Sequence, residues 1–200
     1  MRLLTKILAS VALAGALGAC SLGGLMGGGK APTTLQTLTP EAADPGPMTR
    51  TVNAGQAVTI GAPIIPKELR TVRVPVQLNP TDIQYVANLQ WVDTPDRLFQ
   101  SLLAETVRRT TSRVVLDSQQ TALDPGLVVS GALERFGYDA ASGQVVVVYD
   151  GSLSTEGGTR VEARRFTASA PSDGSAASVG PALNRAANQV ATDVAKWIGG

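Results

Sequence analysis

Three segments near the end of the sequence alternate apolar with polar residues and are separated by short connections that contain glycine. The segments span residues 127–138, 144–154 and 159–168, and the connections carry Gly143 and Gly157-Gly158. A period of two is typical of strands with one buried face, and connections of this length join neighbouring strands that run in opposite directions. The sequence therefore predicts an antiparallel meander of three strands.

Two earlier segments show the same alternation and predict a β-hairpin. Residues 72–78 and 83–91 flank the turn residues Asn79-Pro80-Thr81. Pro75 has no N–H to donate to a neighbouring strand, which favours an edge position for the first strand of this hairpin. Two further short strands are expected at residues 57–60 and 113–117.

The apolar period changes to that of a helix in two places. Thr94 and Pro95 are typical of a helix start, where the threonine hydroxyl caps a free N–H and the proline has none to satisfy. This helix is expected to end near residues 110–112, and a second, alanine-rich helix is expected over residues 179–198. Each has one apolar face. The expected fold is α+β, a mostly antiparallel sheet with two amphipathic helices packed on one face.

The single cysteine of the chain, Cys20, follows a segment that reads as a signal peptide. Arg2 and Lys6 begin it, and the apolar residues 7–17 are too few to span a bilayer but match the apolar part of a signal peptide. Leu17-Gly18-Ala19-Cys20 resembles a bacterial lipobox, which implies a signal peptide over residues 1–19 and a diacylglycerol on the Cys20 sulfur. The alternative is an ordinary secretory signal with a cysteine nearby.

The residues after Cys20 predict a tether followed by one folded domain. Residues 20–50 are rich in glycine and proline, so we expect a flexible tether with at most a short strand at residues 35–38. The folded α+β domain is expected over residues 51–200. Ser21 stands where an aspartate would retain a lipoprotein at the inner membrane, and by analogy with lipoprotein sorting we expect the periplasmic face of the outer membrane.

The composition excludes several classes of function. The sequence contains no histidine, and acylation of Cys20 would leave no free thiol. Catalysis by Ser-His-Asp or Cys-His, zinc bound by histidine and pH switching by histidine are therefore excluded. The formal net charge is only +1, and no strongly basic domain is present, so nucleic-acid binding is not expected. We expect no enzyme activity, no metal and no cofactor beyond the covalent lipid on Cys20.

The order of these features resembles a known family. The lipobox and glycine-rich tether are followed by Leu35-Gln36-Thr37-Leu38-Thr39-Pro40, by Tyr85 and Trp91-Val92-Asp93-Thr94-Pro95 before a helix, and by an alanine-rich last helix. This order is similar to that of the ABC-type transport auxiliary lipoproteins, which include the lipoprotein of the Pqi system. The first strand of that family commonly carries tyrosines before Thr-Leu, and this chain has Thr34 and Leu35 there.

The resemblance implies a function in lipid transport between membranes. Its implied partners are a periplasmic protein with a mammalian-cell-entry (MCE) domain and the subunits of an ABC transporter, and the protein meets the membrane through its lipid anchor. It implies no catalytic residues, and Cys20 is the one position to which it gives a definite role. A homo-oligomer stays open, as does a second function class, an enzyme inhibitor or other envelope binding module displayed on the same anchor.

Trp91 and Asp93 are the candidate site residues of the folded domain, and each has two interpretations. Trp91 is either a partner contact or a core residue that continues the buried face of its strand. Asp93 either recognises a partner or stabilises the start of the following helix.

The charged residues also have two interpretations. Arg108, Arg109 and Arg113 either face lipid phosphates or an acidic partner, or form a solvated helix end. Three carboxylates on the predicted meander either form a catalytic pair or join arginines in cross-strand salt bridges. These carboxylates are Glu134, Asp150 and Glu162, and the interspersed arginines are Arg135, Arg160 and Arg164.

Overall fold

The computed structural model describes residues 34–52, 56–116, 126–155 and 160–199, and the expected signal peptide and Cys20 lie outside these ranges. Within them the chain forms one seven-stranded sheet and two long helices. In chain order the elements are β1 (Val58–Ile60), β2 (Arg73–Gln77), β3 (Ile83–Gln90), α1 (Pro95–Thr110), β4 (Val115–Leu116), β5 (Leu127–Asp139), β6 (Gln144–Ser154), β7 (Val161–Pro171) and α2 (Ala176–Gly199).

The predicted antiparallel meander is confirmed and forms one side of the sheet. β5 pairs with β6 from Val128 opposite Ser154 to Asp139 opposite Gln144. β6 pairs with β7 without a register shift, ending with Gln144 opposite Pro171. The third strand, β7, thus extends three residues past its predicted end. Its last residue, Pro171, lies at the end of the ladder, where a missing N–H is tolerated.

The predicted hairpin is also confirmed, but the expectation that its first strand lies at an edge is wrong. β2 is antiparallel to β3 and lies between β3 and β5, with Val76 opposite Tyr138 in a parallel pairing. The register of β2 and β3 shifts between Arg73 and Pro75. Pro75 therefore lies at an irregularity of the ladder, which accommodates a residue without an N–H inside a sheet.

The parallel pairings of the sheet are a feature that the alternation does not predict. β1 is parallel both to β5 and to β4, with Val58 opposite Leu127 and Val115. The chain after β1 continues along β5, where the Gly61 N–H donates to Val129 O over 2.9 Å. β1 and β2 thus occupy the same edge of the long strand β5, one after the other.

The two helices form a single layer over one face of the sheet, as expected. Val145, Val147 and Tyr149 of β6 point to the helices and are buried, and the Tyr149 ring centroid is 5.1 Å from that of Phe99 in α1. α1 begins at Pro95, but the Thr94 side chain makes no capping hydrogen bond, contrary to the prediction. The Thr94 carbonyl instead accepts the N–H groups of residues 97 and 98.

Two glycines make room for the Tyr149 ring in the centre of this core. Gly131 and Gly151 lie opposite each other on β5 and β6. A Cβ atom on either would lie 2.9 Å from the Tyr149 ring. The Tyr149 hydroxyl donates to Ser130 O over 3.0 Å, and burial raises the pKa of Tyr149 to about 12. The Tyr149 hydroxyl is therefore a hydrogen-bond donor within the core.

Candidate functional site

Trp91 lies in the core, not on the surface. It directly follows β3, is 1% exposed, and its ring centroid is 5.6 Å from that of Phe136 in β5. Its backbone N–H donates to Val72 O over 2.8 Å, which ties the end of β3 to the start of β2. The indole Nε1 has no hydrogen-bond partner in the described part of the chain. Trp91 thus acts through packing, as the core interpretation expects.

Asp93 is exposed and lies at the start of α1. Its Oδ1 accepts the Thr94 N–H over 2.7 Å. A carboxylate at this position also interacts favourably with the positive end of the helix dipole. The contacts of Asp93 in the structure are those of a residue that stabilises a helix start.

The chain before β1 binds back onto the end of β3, close to Trp91. The Gln36 N–H donates to Gln90 O over 2.8 Å, and the Val92 N–H donates to Gln36 O over 2.9 Å. Gln36 thereby forms a single bridge with Trp91, where at most a short strand over residues 35–38 was expected. We call residues 36–42, which continue from this bridge across the helices, the strap.

Two asparagines of α2 hold the backbone of the strap. The Thr39 N–H donates to Asn184 Oδ1 and the Glu41 N–H donates to Asn188 Oδ1, both over 2.8 Å. Asn188 Nδ2 in turn donates to Thr39 O over 2.9 Å. Asn188 is only 4% exposed, so its amide is committed to these bonds. Because an amide offers both a donor and an acceptor, it can hold an extended backbone without reading side chains.

Arg109 joins the strap to the other helix. Its Nη1 donates to Ala42 O over 2.9 Å, and its Nε donates to Glu105 Oε1 over 2.8 Å. The hydrogen bond from Arg109 is the main reason that the pKa of Glu105 lies below its usual value. Arg109 is therefore engaged by the strap, whereas Arg108 remains exposed beside Glu105.

Arg113 fastens the ends of the helices. Its Nε donates to Ile198 O over 2.9 Å, near the end of α2, and its Nη1 donates to Gln56 O over 3.4 Å. Arg50 Nη1 donates to the carbonyl of Arg113 itself over 2.9 Å. The expected solvated helix end is thus tied to the chain that precedes β1. The domain boundary predicted at residue 50 remains a prediction. In the structure, however, residues 36–42 of the strap already bind the helices of the folded domain.

Of the three meander carboxylates predicted to form cross-strand salt bridges, only Asp150 does so in the described part of the chain, and its partner is Arg165 rather than a predicted arginine. Asp150 on β6 accepts two hydrogen bonds of 2.6 Å from Arg165 on β7, and these bonds lower the pKa of Asp150. Arg164, which was predicted to pair with one of these carboxylates, instead places its guanidinium carbon 5.3 Å from the Phe166 ring centroid. These charges support the sheet across its strands.

The remaining carboxylates have different surroundings. Glu162 pairs with Arg160 and accepts a hydrogen bond of 3.2 Å from Trp197 Nε1. Arg135 pairs within its own strand with Asp139 over 3.0 Å, whereas Glu134 is exposed. Within the described ranges, no group of three or more Asp, Glu, Cys or His residues is arranged to hold a metal ion.

The asparagine pair is the part of the site that sequence reasoning missed. Asn184 and Asn188 are four residues apart, so they lie on the same face of an otherwise alanine-rich helix. Two amides at this spacing on a small-residue face were the available signal. Their partners lie about 145 residues earlier in the chain, so the pattern alone could not identify what they bind.

Solved structures share this fold. A crystal structure of a protein from Xanthomonas campestris is similar with a TM-score of 0.65 and 19% identity, covering 85% of this chain and 94% of that one. A crystal structure of an uncharacterized protein is similar with a TM-score of 0.58 and 16% identity, covering 75% of this chain and 96% of that one. No curated protein matches the sequence.

The family comparison covers the strap, the sheet and both helices. In the described part of the chain, neither helix combines the length and the apolar character needed to cross a membrane. Residues 37–195 match the family model described as the ABC-type transport auxiliary lipoprotein component. The chain therefore belongs to the family of ABC-type transport auxiliary lipoprotein components.

Proposed function

We propose that this protein is an auxiliary lipoprotein of an MCE-type ABC lipid transport system, anchored in the outer membrane and acting between the two envelope membranes without catalysis. The observation that carries the proposal is the family match over residues 37–195. The lipobox at Cys20 supplies the matching anchor. The MCE-domain protein and the transporter subunits enter as partners through the resemblance described above.

The anchor follows from the chemistry of acyl chains. A single chain binds a membrane only marginally, at about 0.8 kcal/mol per buried CH₂, so a diacylglycerol on Cys20 holds the protein in place. Ser21 supports the periplasmic face of the outer membrane by analogy with lipoprotein sorting. The protein then works at the end of its tether, within reach of proteins that bridge the periplasm.

A role without catalysis is supported by how the chain uses its polar side chains. Asp150 and Glu105 bind arginines, Glu162 binds Arg160 and Trp197, and the asparagines of α2 bind backbone. These contacts stabilise the fold. The sequence also lacks the histidine on which most acid–base and nucleophilic sites depend.

Tethering makes a weak contact with a transporter subunit effective. Linking two partners to one surface raises their effective concentration toward the millimolar range, as long as the tether can span the distance. An auxiliary subunit of this kind needs a rigid body and an anchor more than a deep pocket. The strap, sheet and helices supply the body.

The test is capture of partners from membranes by crosslinking, followed by mass spectrometry. The acylated protein should enrich an MCE-domain protein and ABC transporter subunits. Cys20→Ala is the control, because it should remain an uncleaved precursor without lipid and capture less of the same partners. Enrichment of a periplasmic enzyme in place of transport proteins would contradict the proposal and favour the displayed inhibitor.

A further inference from the structure

Two exposed apolar side chains flank the bridge by which the strap meets the end of β3. Leu35 is 52% exposed and Val92 is 51% exposed. Leu35 directly precedes Gln36 and Val92 directly follows Trp91, and Gln36 and Trp91 form a parallel bridge, so the two exposed residues lie diagonally on either side of that bridge. We call Leu35 and Val92 the apolar corner.

The strap fixes the apolar corner on the body. Residues beyond the corner are held by Asn184, Asn188 and Arg109 through bonds of 2.8–2.9 Å. The side chain of Gln36 also lies against Gly180 of α2, since a Cβ on that glycine would be 3.0 Å from Gln36 Oε1. The strap therefore holds the chain from Gln36 onward, directly after Leu35.

The chain between this point and the anchor is short. Fourteen residues, 21–34, separate Cys20 from Leu35. For a glycine-rich chain of this length the mean end-to-end distance is about 20 Å. The apolar corner is thus the part of the body that the anchor keeps nearest to the acyl chains along the sequence, at a high effective concentration of lipid.

We propose that the apolar corner docks on the lipid surface that carries the acyl chains of Cys20, so that the body faces its membrane in one defined orientation. The proposal rests on the lipid anchor of the proposed function. Leucine and valine favour an apolar environment, and the short tether makes even this small surface sufficient to bias the orientation. The opposite parts of the body are then left free for a partner.

The test uses the acylated protein in vesicles of phosphatidylethanolamine and phosphatidylglycerol. Because Cys20 is the only cysteine and its thiol carries the lipid, an introduced cysteine is the one thiol available for a fluorescent label. An environment-sensitive dye at Val92→Cys should shift its emission to the blue and lose intensity when nitroxide lipids are added. The matched control is Val161→Cys, the same substitution at a more exposed valine at the start of β7.

A second control site separates the apolar corner from exposed apolar residues in general. Leu78 and Ile83 are also exposed, at 38% and 41%, and lie at the turn between β2 and β3. The dye at Ile83→Cys should behave like the dye at Val161→Cys. Equal quenching at Val92, Ile83 and Val161 would overturn the proposal.

Two further measurements separate failure of this proposal from failure of the anchor. Flotation of the unmodified protein with the vesicles reports the anchor alone, and a protein that does not float contradicts the anchor and the docking together. Releasing the strap with Asn184→Ala and Asn188→Ala should leave flotation intact and reduce quenching at Val92, because the tether becomes longer. Unchanged quenching in that double variant would contradict docking of a corner positioned by the strap.

Discussion

At the scale of single residues, Trp91 joins three separate parts of the fold. Its ring packs on Phe136 of β5, and its backbone binds Val72 before β2 and lies beside Gln36 of the strap. We expect Trp91→Ala to lower the free energy of unfolding by about 3–5 kcal/mol, measured by urea denaturation of the mature chain. That loss is a large fraction of the stability of a domain of this size.

Trp91→Phe is the matched control for this experiment. It keeps a ring against Phe136 and removes an indole N–H that has no hydrogen-bond partner among the described residues. Its cost should therefore be clearly smaller than that of the alanine variant. An alanine variant that unfolds like the natural protein but no longer captures its transport partner would show that Trp91 is a binding residue instead.

At the scale of elements, the strap depends on α2 for its position. Asn188 is buried and bonds both the N–H of Glu41 and the C=O of Thr39. Asn188→Ala leaves these groups without partners, so we expect a loss of about 1–3 kcal/mol in stability. The amides of Thr39 and Glu41 should also exchange hydrogen faster, which can be followed by mass spectrometry or NMR.

The neighbouring residue Gln189 supplies the control for the strap. It is exposed on the same helix, and its amide donates to Asp193 over 2.9 Å. Gln189→Ala should change stability by less than about 0.5 kcal/mol, as is usual for surface positions. If Asn188→Ala behaves like Gln189→Ala and leaves exchange at Thr39 and Glu41 unchanged, the strap is not held by the asparagine pair.

The elements also show what the sequence could and could not predict. Helices and antiparallel hairpins follow from local periodicity and short connections, and α1, α2 and the meander were found this way. The parallel pairing of β2 with β5 joins residues about 60 positions apart, such as Val76 and Tyr138. Such pairings have no local signal, which is why Pro75 was expected at an edge.

The candidate site divides in the same way. The packing of Trp91 follows from the alternation of its strand, and the role of Asp93 follows from its place before a helix. The strap has neither a period nor a cap, since it is an extended segment whose bonds go to side chains of the last helix. The role of the strap follows only from the tertiary fold, which brings residues 36–42 against Asn184 and Asn188 of α2.

At the scale of the whole molecule, the absence of histidine governs how stability depends on pH. No side chain of this sequence has an ordinary pKa between about 5 and 8. In the described part of the chain, the pKa shifts of carboxylates are downward, for Glu105, Asp139, Asp150 and Asp173. We therefore expect the melting temperature to be nearly constant from about pH 5 to pH 8.

The same shifts predict a loss of stability in acid. A carboxyl whose pKa is lower in the folded than in the unfolded chain stabilises the fold above the unfolded value, about 4, and this contribution disappears as the pH falls through the folded value. Glu105→Gln should lower stability at pH 7 by at most about 1 kcal/mol, since its pairs with Arg108 and Arg109 are partly exposed. As the pH falls below the lowered folded pKa of Glu105, the carboxyl becomes protonated in both states, and the difference from the natural protein should shrink. A difference that does not shrink in acid would show that the glutamine disturbs the packing of α1 instead. A steep change in the stability of the natural protein near pH 6.5 would contradict the expected constancy between about pH 5 and pH 8.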